Sequence, residues 1–325
     1  MLRRPLLLSL LLCAGLVGSV AVDGWRSDPA EAATAAGVGV GVGVAQGAGR
    51  YLGRWNYDQP DRATMRNVAV ITCPAAKPGC PGSAPVNGTA FSIEVPQIGD
   101  IVLRREAGGV VGRTDQGCTW RFVVRPGSLE LAEPQTCFNQ VIGSSYTITR
   151  WSITVSGRHA TETVAALSHQ PTGDCDFLLQ HGSRTRTDDR DGRDITRRFA
   201  GTWAYDAADP RSRVNMLFSQ CTLPDGGTEQ RQAPRTGQVT FVRGRHHTIT
   251  AVTDDGCRWT LAVRGNTALL DPAVQTCRLA DATVTLKHWS IASDGRQQAS
   301  VMSGVETRGA TTCNFLLSVG SLTRR

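Results

Sequence analysis

Apolar and polar residues alternate with a period of two in several short runs of the chain. Trp120, Phe122 and Val124 fall on one face, with Thr119, Arg121 and Val123 on the other. Further along, Trp259, Leu261 and Val263 alternate with Arg258, Thr260 and Ala262. This is the pattern of a strand with one buried and one wetter side. Trp151, Ile153 and Val155 share a face in the same way, and their run ends at Ser156-Gly157, a two-residue hairpin signal matched by Asp294-Gly295. No long segment carries apolar residues at the 3.6-residue spacing of a helix. The expected fold class is therefore all-β and antiparallel, from short strands joined by tight turns.

These runs belong to an internal repeat. Gly53-Arg54-Trp55-Asn56-Tyr57-Asp58 returns as Gly201-Thr202-Trp203-Ala204-Tyr205-Asp206, and a Cys follows each Tyr by 16 residues, Cys73 and Cys221. Asp115-Gln116-Gly117-Cys118-Thr119-Trp120 returns as Asp254-Asp255-Gly256-Cys257-Arg258-Trp259, and Gln135-Thr136-Cys137 as Gln275-Thr276-Cys277. Trp151-Ser152-Ile153 matches Trp289-Ser290-Ile291, and Cys175-Asp176-Phe177 matches Cys313-Asn314-Phe315. Both copies close on Gly-Ser-x-Thr-Arg, at Gly182–Arg186 and Gly320–Arg324. The match extends over about 125 residues and recurs 138 to 148 residues further on, which means two tandem domains rather than a short-unit solenoid. Residues 50–186 and 199–325 are read as the two repeats, each a closed barrel or small sandwich of eight or nine strands. Residues 187–198, with four Asp and four Arg, read as a charged linker, and the Ala/Gly/Val-rich stretch 22–49 as a flexible tether.

The start of the chain changes the compartment. Arg3 and Arg4 precede an apolar stretch from Leu6 to Val17, too short to cross a bilayer, and Ser19-Val20-Ala21 offers small residues for cleavage. Residues 1–21 are thus expected to be a signal peptide and the chain to be secreted. Lipid anchoring at Cys13 is disfavoured because the large Leu12 stands where a lipobox needs a small residue. No later stretch is long and apolar enough for a transmembrane segment. The two arginines of the leader, with no acid beside them, leave +5 of the formal +7 charge. The basic residues are scattered, with no run of five, which speaks against a nucleic-acid surface.

Eight of the ten cysteines occupy matched places, four in each copy. In an exported chain they read as disulfides. Four cysteines allow three connectivities; Cys118–Cys137 and Cys257–Cys277 are favoured as joining neighbouring strands, which leaves Cys73–Cys175 and Cys221–Cys313. Cys80 has no counterpart and is left over as the unpaired cysteine, open to three fates: a free thiol, a bridge between two chains, or competition with Cys73 for its partner. A metal site is not expected, since the spacings lack a Cys-x-x-Cys pair.

The opening Gly-x-Trp strands, Gly53-Arg54-Trp55 and Gly201-Thr202-Trp203, resemble those of the calycin superfamily, the lipocalins and avidins. That resemblance implies an eight-stranded barrel in which an Arg of the last strand packs on the Gly-x-Trp indole at the barrel base. Arg186 and Arg324 are the residues in that place, and a guanidinium on an indole is a favourable pair. The copy length suits an avidin-sized barrel better than a longer lipocalin.

The duplication also screens for chemistry, because an inherited site should occupy matched positions. His159, His169 and His181 fall opposite Gln297, Thr307 and Val319, and His288 falls opposite Arg150. His246 and His247 are adjacent on an expected strand and so point to opposite faces. No Gly-x-Ser-x-Gly elbow occurs. Asp58/Asp206 and Asp115/Asp254 do recur, but beside turns, where Asp stabilises backbone. No enzyme, cofactor or metal is expected. The best match is aromatic: Trp55, Tyr57, Trp120 and Trp151 against Trp203, Tyr205, Trp259 and Trp289. These residues are candidates for the core or for a ligand pocket in each lumen. The first functional expectation is a secreted, non-enzymatic binding protein for a small apolar or aromatic ligand. The alternative is an extracellular protein-interaction module, such as a two-headed protease inhibitor, acting through loops 74–88 and 222–236 with Arg231 and Arg235 as anchors.

Overall fold

A computed structural model describes residues 47–74, 91–107, 109–139, 144–170, 173–187 and 195–325. The expected signal peptide, most of the tether, Cys80 and most of loop 74–88 and of the linker lie outside the described residues. The first copy contains β1 (Gly53–Tyr57), β2 (Val68–Cys73), β3 (Phe91–Pro96), β4 (Asp100–Glu106), β5 (Gly109–Thr114), β6 (Thr119–Arg125), β7 (Ser128–Leu131), β8 (Gln135–Asn139), β9 (Ser144–Ser156), β10 (His159–Gln170) and β11 (Gly173–Thr187). The second contains β12 (Gly201–Tyr205), β13 (Met216–Thr222), β14 (Thr228–Pro234), β15 (Gln238–Arg243), β16 (Thr248–Thr253), β17 (Arg258–Arg264), β18 (Thr267–Leu270), β19 (Gln275–Arg278), β20 (Thr283–Ser293), β21 (Gln297–Arg308) and β22 (Thr311–Arg324).

Each copy is a closed antiparallel barrel of eight strands. The first ring runs β1-β4-β5-β6-β7-β9-β10-β11 and closes because β1 also pairs with β11, Trp55 opposite Arg186. The second runs β12-β15-β16-β17-β18-β20-β21-β22 and closes through β12 and β22, Trp203 opposite Arg324. Closure removes the sheet edges of the ring. Outside each ring a hairpin, β2–β3 or β13–β14, hangs on the first half of the last strand, and a short strand, β8 or β19, pairs with β9 or β20. The alternating residues face as their period demands: Trp120 and Phe122 are buried, whereas Thr119 and Arg121 are exposed.

All four disulfides are formed inside the copies: Cys73–Cys175, Cys118–Cys137, Cys221–Cys313 and Cys257–Cys277. Cys221 and Cys313 stand directly opposite each other on β13 and β22, so these longer bridges fasten the outer hairpins to the rings. Four disulfides belong to an oxidising compartment, extracellular or periplasmic.

Two local expectations are corrected. His246 and His247 are not on a strand; both adopt left-handed backbone, φ 53° and 59°, in the turn before β16, a conformation His tolerates better than most residues. The segment 222–236 is not a loop. Its residues Thr228–Pro234 form β14, paired along its length with β13. All seven residues of β14 are exposed, so no buried face existed to mark it as a strand in the sequence.

Candidate functional site

The base of each barrel is built from the recurring motifs. Gly53 and Gly201 have φ of 120° and 118°, a conformation open to Gly and strained for other residues. The turn they make lets the last-strand arginine lie over the indole: Arg186 Cζ is 4.7 Å from the centre of the Trp55 ring, and Arg324 Cζ 5.3 Å from that of Trp203. Arg186 also donates to the carbonyls of Arg50 and Leu52, at 2.6 and 2.7 Å. Arg324 donates to those of Gly295, Arg197 and Ala200. Each indole Nε1 donates at 2.6 Å to a carbonyl of the turn that caps the barrel, Tyr51 or Phe199. The cation, the indole and the capping turn thus form one clasp in each copy.

The rest of the Gly-Ser-x-Thr-Arg motif is used beside it. Asp58 accepts from the hydroxyls of Ser183 and Thr185, and Asp206 from those of Ser321 and Thr323. Gly182 and Gly320 sit where a Cβ would lie 2.8 Å from the carbonyl oxygen of Glu162 or Ser300, so the closing strand can approach its neighbour only as Gly. Asn67 and Asn215, which the motif reading overlooked, tie the same corner. Each is buried in left-handed backbone. Each donates to two carbonyls, at Asp58 and Ser183 or at Asp206 and Ser321, and accepts from the Ser183 or Ser321 N–H. Both lie ten residues after the shared Tyr, and that spacing was the available signal. Gln135 and Gln275 have an equally structural task. Each accepts from the backbone N–H of Arg121 or Thr260 and donates to the carbonyl of the same residue.

The indoles lie in the barrel cores. Trp55, Trp120, Trp151, Trp203, Trp259 and Trp289 are all buried. Trp120 meets Trp151 edge-on at 6.3 Å between ring centres, and Phe122 meets Trp151 at 5.2 Å, the preferred geometry for aromatic packing. An eight-stranded barrel is just wide enough for its side chains to fill it or to hold one small ligand.

The first barrel also encloses a charged group invisible to the repeat comparison. Arg184 donates through Nε to Glu162 Oε2 at 2.8 Å, and the same oxygen accepts from Trp151 Nε1 at 3.1 Å. The Arg184 guanidinium lies over the Tyr57 ring at 3.4 Å. Burial works most strongly against its charge, but Glu162, Tyr57 and Asp115 together outweigh burial and hold the proton more firmly than usual. Burial also raises the Tyr57 hydroxyl well above its ordinary value, against the pull of Arg184. In the second barrel Ser300 and Leu322 stand in these places, and Trp289 Nε1 donates to Ser300 Oγ at 3.0 Å. The cation over the shared tyrosine comes there from another position: Arg235, between β14 and β15, lies 5.3 Å from the Tyr205 ring. Arg235 is therefore half-buried on an aromatic ring, not an exposed anchor. Arg231 is exposed and paired with Glu229 at 2.7 Å.

The recurring carboxylates cap backbone. Asp115 accepts from the Asp100 N–H and Asp254 from the Gln238 N–H, each at 3.2 Å. Burial first, and the neighbouring Asp100 charge second, push Asp115 up to about 7. Burial lowers His288 to about 4. Among the described residues no cluster of three His, Cys, Asp or Glu side chains is placed to hold a metal ion, and no helix is long and apolar enough to cross a membrane.

No family model matches the chain, and no curated protein matches it. Among solved structures, a candidate outer membrane protein of Bacteroides fragilis aligns over 84% of this chain and 97% of its own, at 10% identity and a TM-score of 0.22. A protein of unknown function from the DUF3598 family of Nostoc punctiforme aligns over 85% and 97%, at the same identity and score. Likeness at that level carries no argument here; the barrel assignment rests on the strand pairing of this chain.

Proposed function

We propose that the chain is a secreted, non-enzymatic binding protein, with two calycin-like barrels as rigid frames, that recognises another extracellular protein through elements that differ between its copies. The observation that carries this reading is how the shared residues are used. Arg186 and Arg324 clasp indoles, Asp58 and Asp206 bind hydroxyls of the closing strand, and Gln135 and Gln275 bridge backbone. The recurring polar groups are thereby occupied in holding the barrels shut. The arginine over the Gly-x-Trp indole also supports the calycin likeness. Charged and polar side chains such as Arg121, Thr119 and Arg258 face outward while the apolar ones face in, the reverse of a membrane barrel. What remains for recognition is the hairpin β13–β14, whose outer strand is exposed and has one edge unpaired among the described residues; its counterpart in the first copy is the hairpin β2–β3, whose loop 74–88 falls largely outside the described residues. A two-headed protease inhibitor is the specific form of this proposal. The test measures inhibition of a panel of secreted serine and cysteine proteases by the mature chain and by a variant with residues 223–233 replaced by a short turn. Inhibition lost with the hairpin, at unchanged circular dichroism, supports the reading. Absence of inhibition across the panel removes the inhibitor form, and inhibition that survives the deletion removes the hairpin.

A second reading, a small ligand inside a lumen, is favoured by one feature of the second barrel. Gln298 is buried with neither amide atom hydrogen-bonded, and a buried amide normally has a partner. A polar molecule leaving on denaturation, seen by mass spectrometry, would support it.

A further inference from the structure

We infer that the cleft between the two barrels is a binding site for one small organic anion with an apolar body. This site is separate from the hairpin and the lumens and goes beyond the proposal above.

Two hydrogen bonds join the barrels at an asymmetric seam. Asn56 Nδ2 donates to the Arg264 carbonyl at 3.0 Å, and Asn266 Nδ2 donates to the Tyr57 carbonyl at 2.9 Å. The outer face of β1 in the first copy therefore docks on the β17–β18 turn of the second. In the repeat, Ala204 stands for Asn56 and Gly127 for Asn266, so the free faces lack both amides and the seam forms once per chain.

Beside this seam the walls part and leave a cavity of about 350 Å³. That volume is in the range of small-molecule sites, which favour domain interfaces. Its apolar lining is Val102 of the first barrel and Ala262, Leu269, Leu270, Ala273 and Trp289 of the second. Four cations also line it: Arg54, Arg113, Arg264 and Lys287. Arg54 is bound to Asp100. The side chains of Arg113, Arg264 and Lys287 have no carboxylate partner among the described residues, and they converge on the cavity from both barrels. The remaining acids on the walls are Asp115 and Asp271. Asp115, pushed up to about 7, keeps its proton at mildly acidic pH and about half of it at 7, and His288, also on the wall, is neutral there. The cleft therefore carries excess positive charge over an apolar floor. A metal cation would be repelled. A neutral apolar molecule would cover the guanidinium and ammonium groups without pairing them, which is costly. A carboxylate or sulfonate on an aliphatic or aromatic body satisfies both parts of the wall.

The probe is anilinonaphthalene sulfonate, an aromatic anion whose emission rises in apolar surroundings, titrated into the full mature chain beside its uncharged parent, phenylnaphthylamine. The expected result is one sulfonate per chain, displaced by octanoate and weakened by salt. Arg264→Glu and Lys287→Glu should each weaken it about tenfold, and the uncharged parent should bind more weakly than the sulfonate. Arg264→Met removes the charge while keeping the apolar stem, so it reports on charge even where Arg264→Glu disturbs the seam. Arg278→Glu, an exposed charge away from the cleft, should leave binding unchanged. Two equivalent sites per chain, equal binding of the uncharged parent, or binding unaffected by Arg264→Met and Lys287→Glu would overturn the inference. None of these outcomes bears on the hairpin deletion, so the two proposals fail separately.

Discussion

Asp115→Asn and His288→Gln should separate two opposing pH effects that meet on the walls of one cleft. Burial, reinforced by the charge of Asp100, raises Asp115 from 3.8 to about 7. In the unfolded chain the carboxyl ionises near its ordinary value, so across this window the native state keeps a proton that the unfolded state has lost. Its contribution to stability is full below about 3.8 and declines as pH rises to about 7. At about 1.4 kcal/mol per pH unit the limit is about 4 kcal/mol, and partial exposure of Asp115 reduces this to about 2 kcal/mol. His288 works in the opposite sense. Burial lowers it from 6.5 to about 4, so the unfolded chain takes up a proton that the native state refuses. Stability from this group is present above 6.5 and is lost as pH falls towards 4, again by about 2 kcal/mol after the same discount. Between pH 4 and 6.5 the two slopes cancel. Asp115→Asn keeps an oxygen for the Asp100 N–H and removes one slope, so stability should rise with pH by about 2 kcal/mol over this window relative to wild type. With His288→Gln it should fall by a similar amount. Urea unfolding followed by Trp fluorescence at several pH values, with disulfides intact and each variant referred to wild type, measures both. Parallel profiles for wild type and both variants, or slopes of the same sign, would refute the reasoning.

Other consequences follow from the clasp and the buried pair. Arg186→Leu should cost about 1–3 kcal/mol, since it removes the cation from the Trp55 face and two carbonyl hydrogen bonds; a melting temperature within a degree of wild type would deny the clasp its role. Glu162→Gln leaves Arg184 charged and buried without its partner and should cost about 3–5 kcal/mol. Ser300→Ala, at the matched place in the second barrel, should cost only about 1 kcal/mol, and comparable losses at the two positions would contradict the account of the two interiors.

Much of the fold is legible in the sequence, because its signals are local or repeated. The alternation around Trp120 and Trp259 marks strands whose two faces meet different surroundings, and recurrence of eight cysteines in matched places restricts their pairing. Ring closure was less legible. It depends on β1 meeting β11, more than a hundred residues later, and only the Gly-x-Trp likeness and its matching arginine hinted at that contact. Strand β14 escaped notice because both of its faces are wet, which erases the period-two signal. The Arg184–Glu162 pair escaped because comparing the copies finds only what both retain, and Leu322 and Ser300 retain neither charge. The cleft was hidden for the same reason: Asn56 and Asn266 make the seam precisely where Ala204 and Gly127 interrupt the repeat.

Mass spectrometry of the protein, native and then denatured, tests most directly whether the recurring residues close filled, disulfide-stapled barrels and leave recognition to outer surfaces. The account predicts a denatured mass lowered by the hydrogens of four bridges and a native mass with at most one bound organic anion per chain. Two retained ligand molecules per chain, one for each barrel, or fewer than four bridges would contradict it.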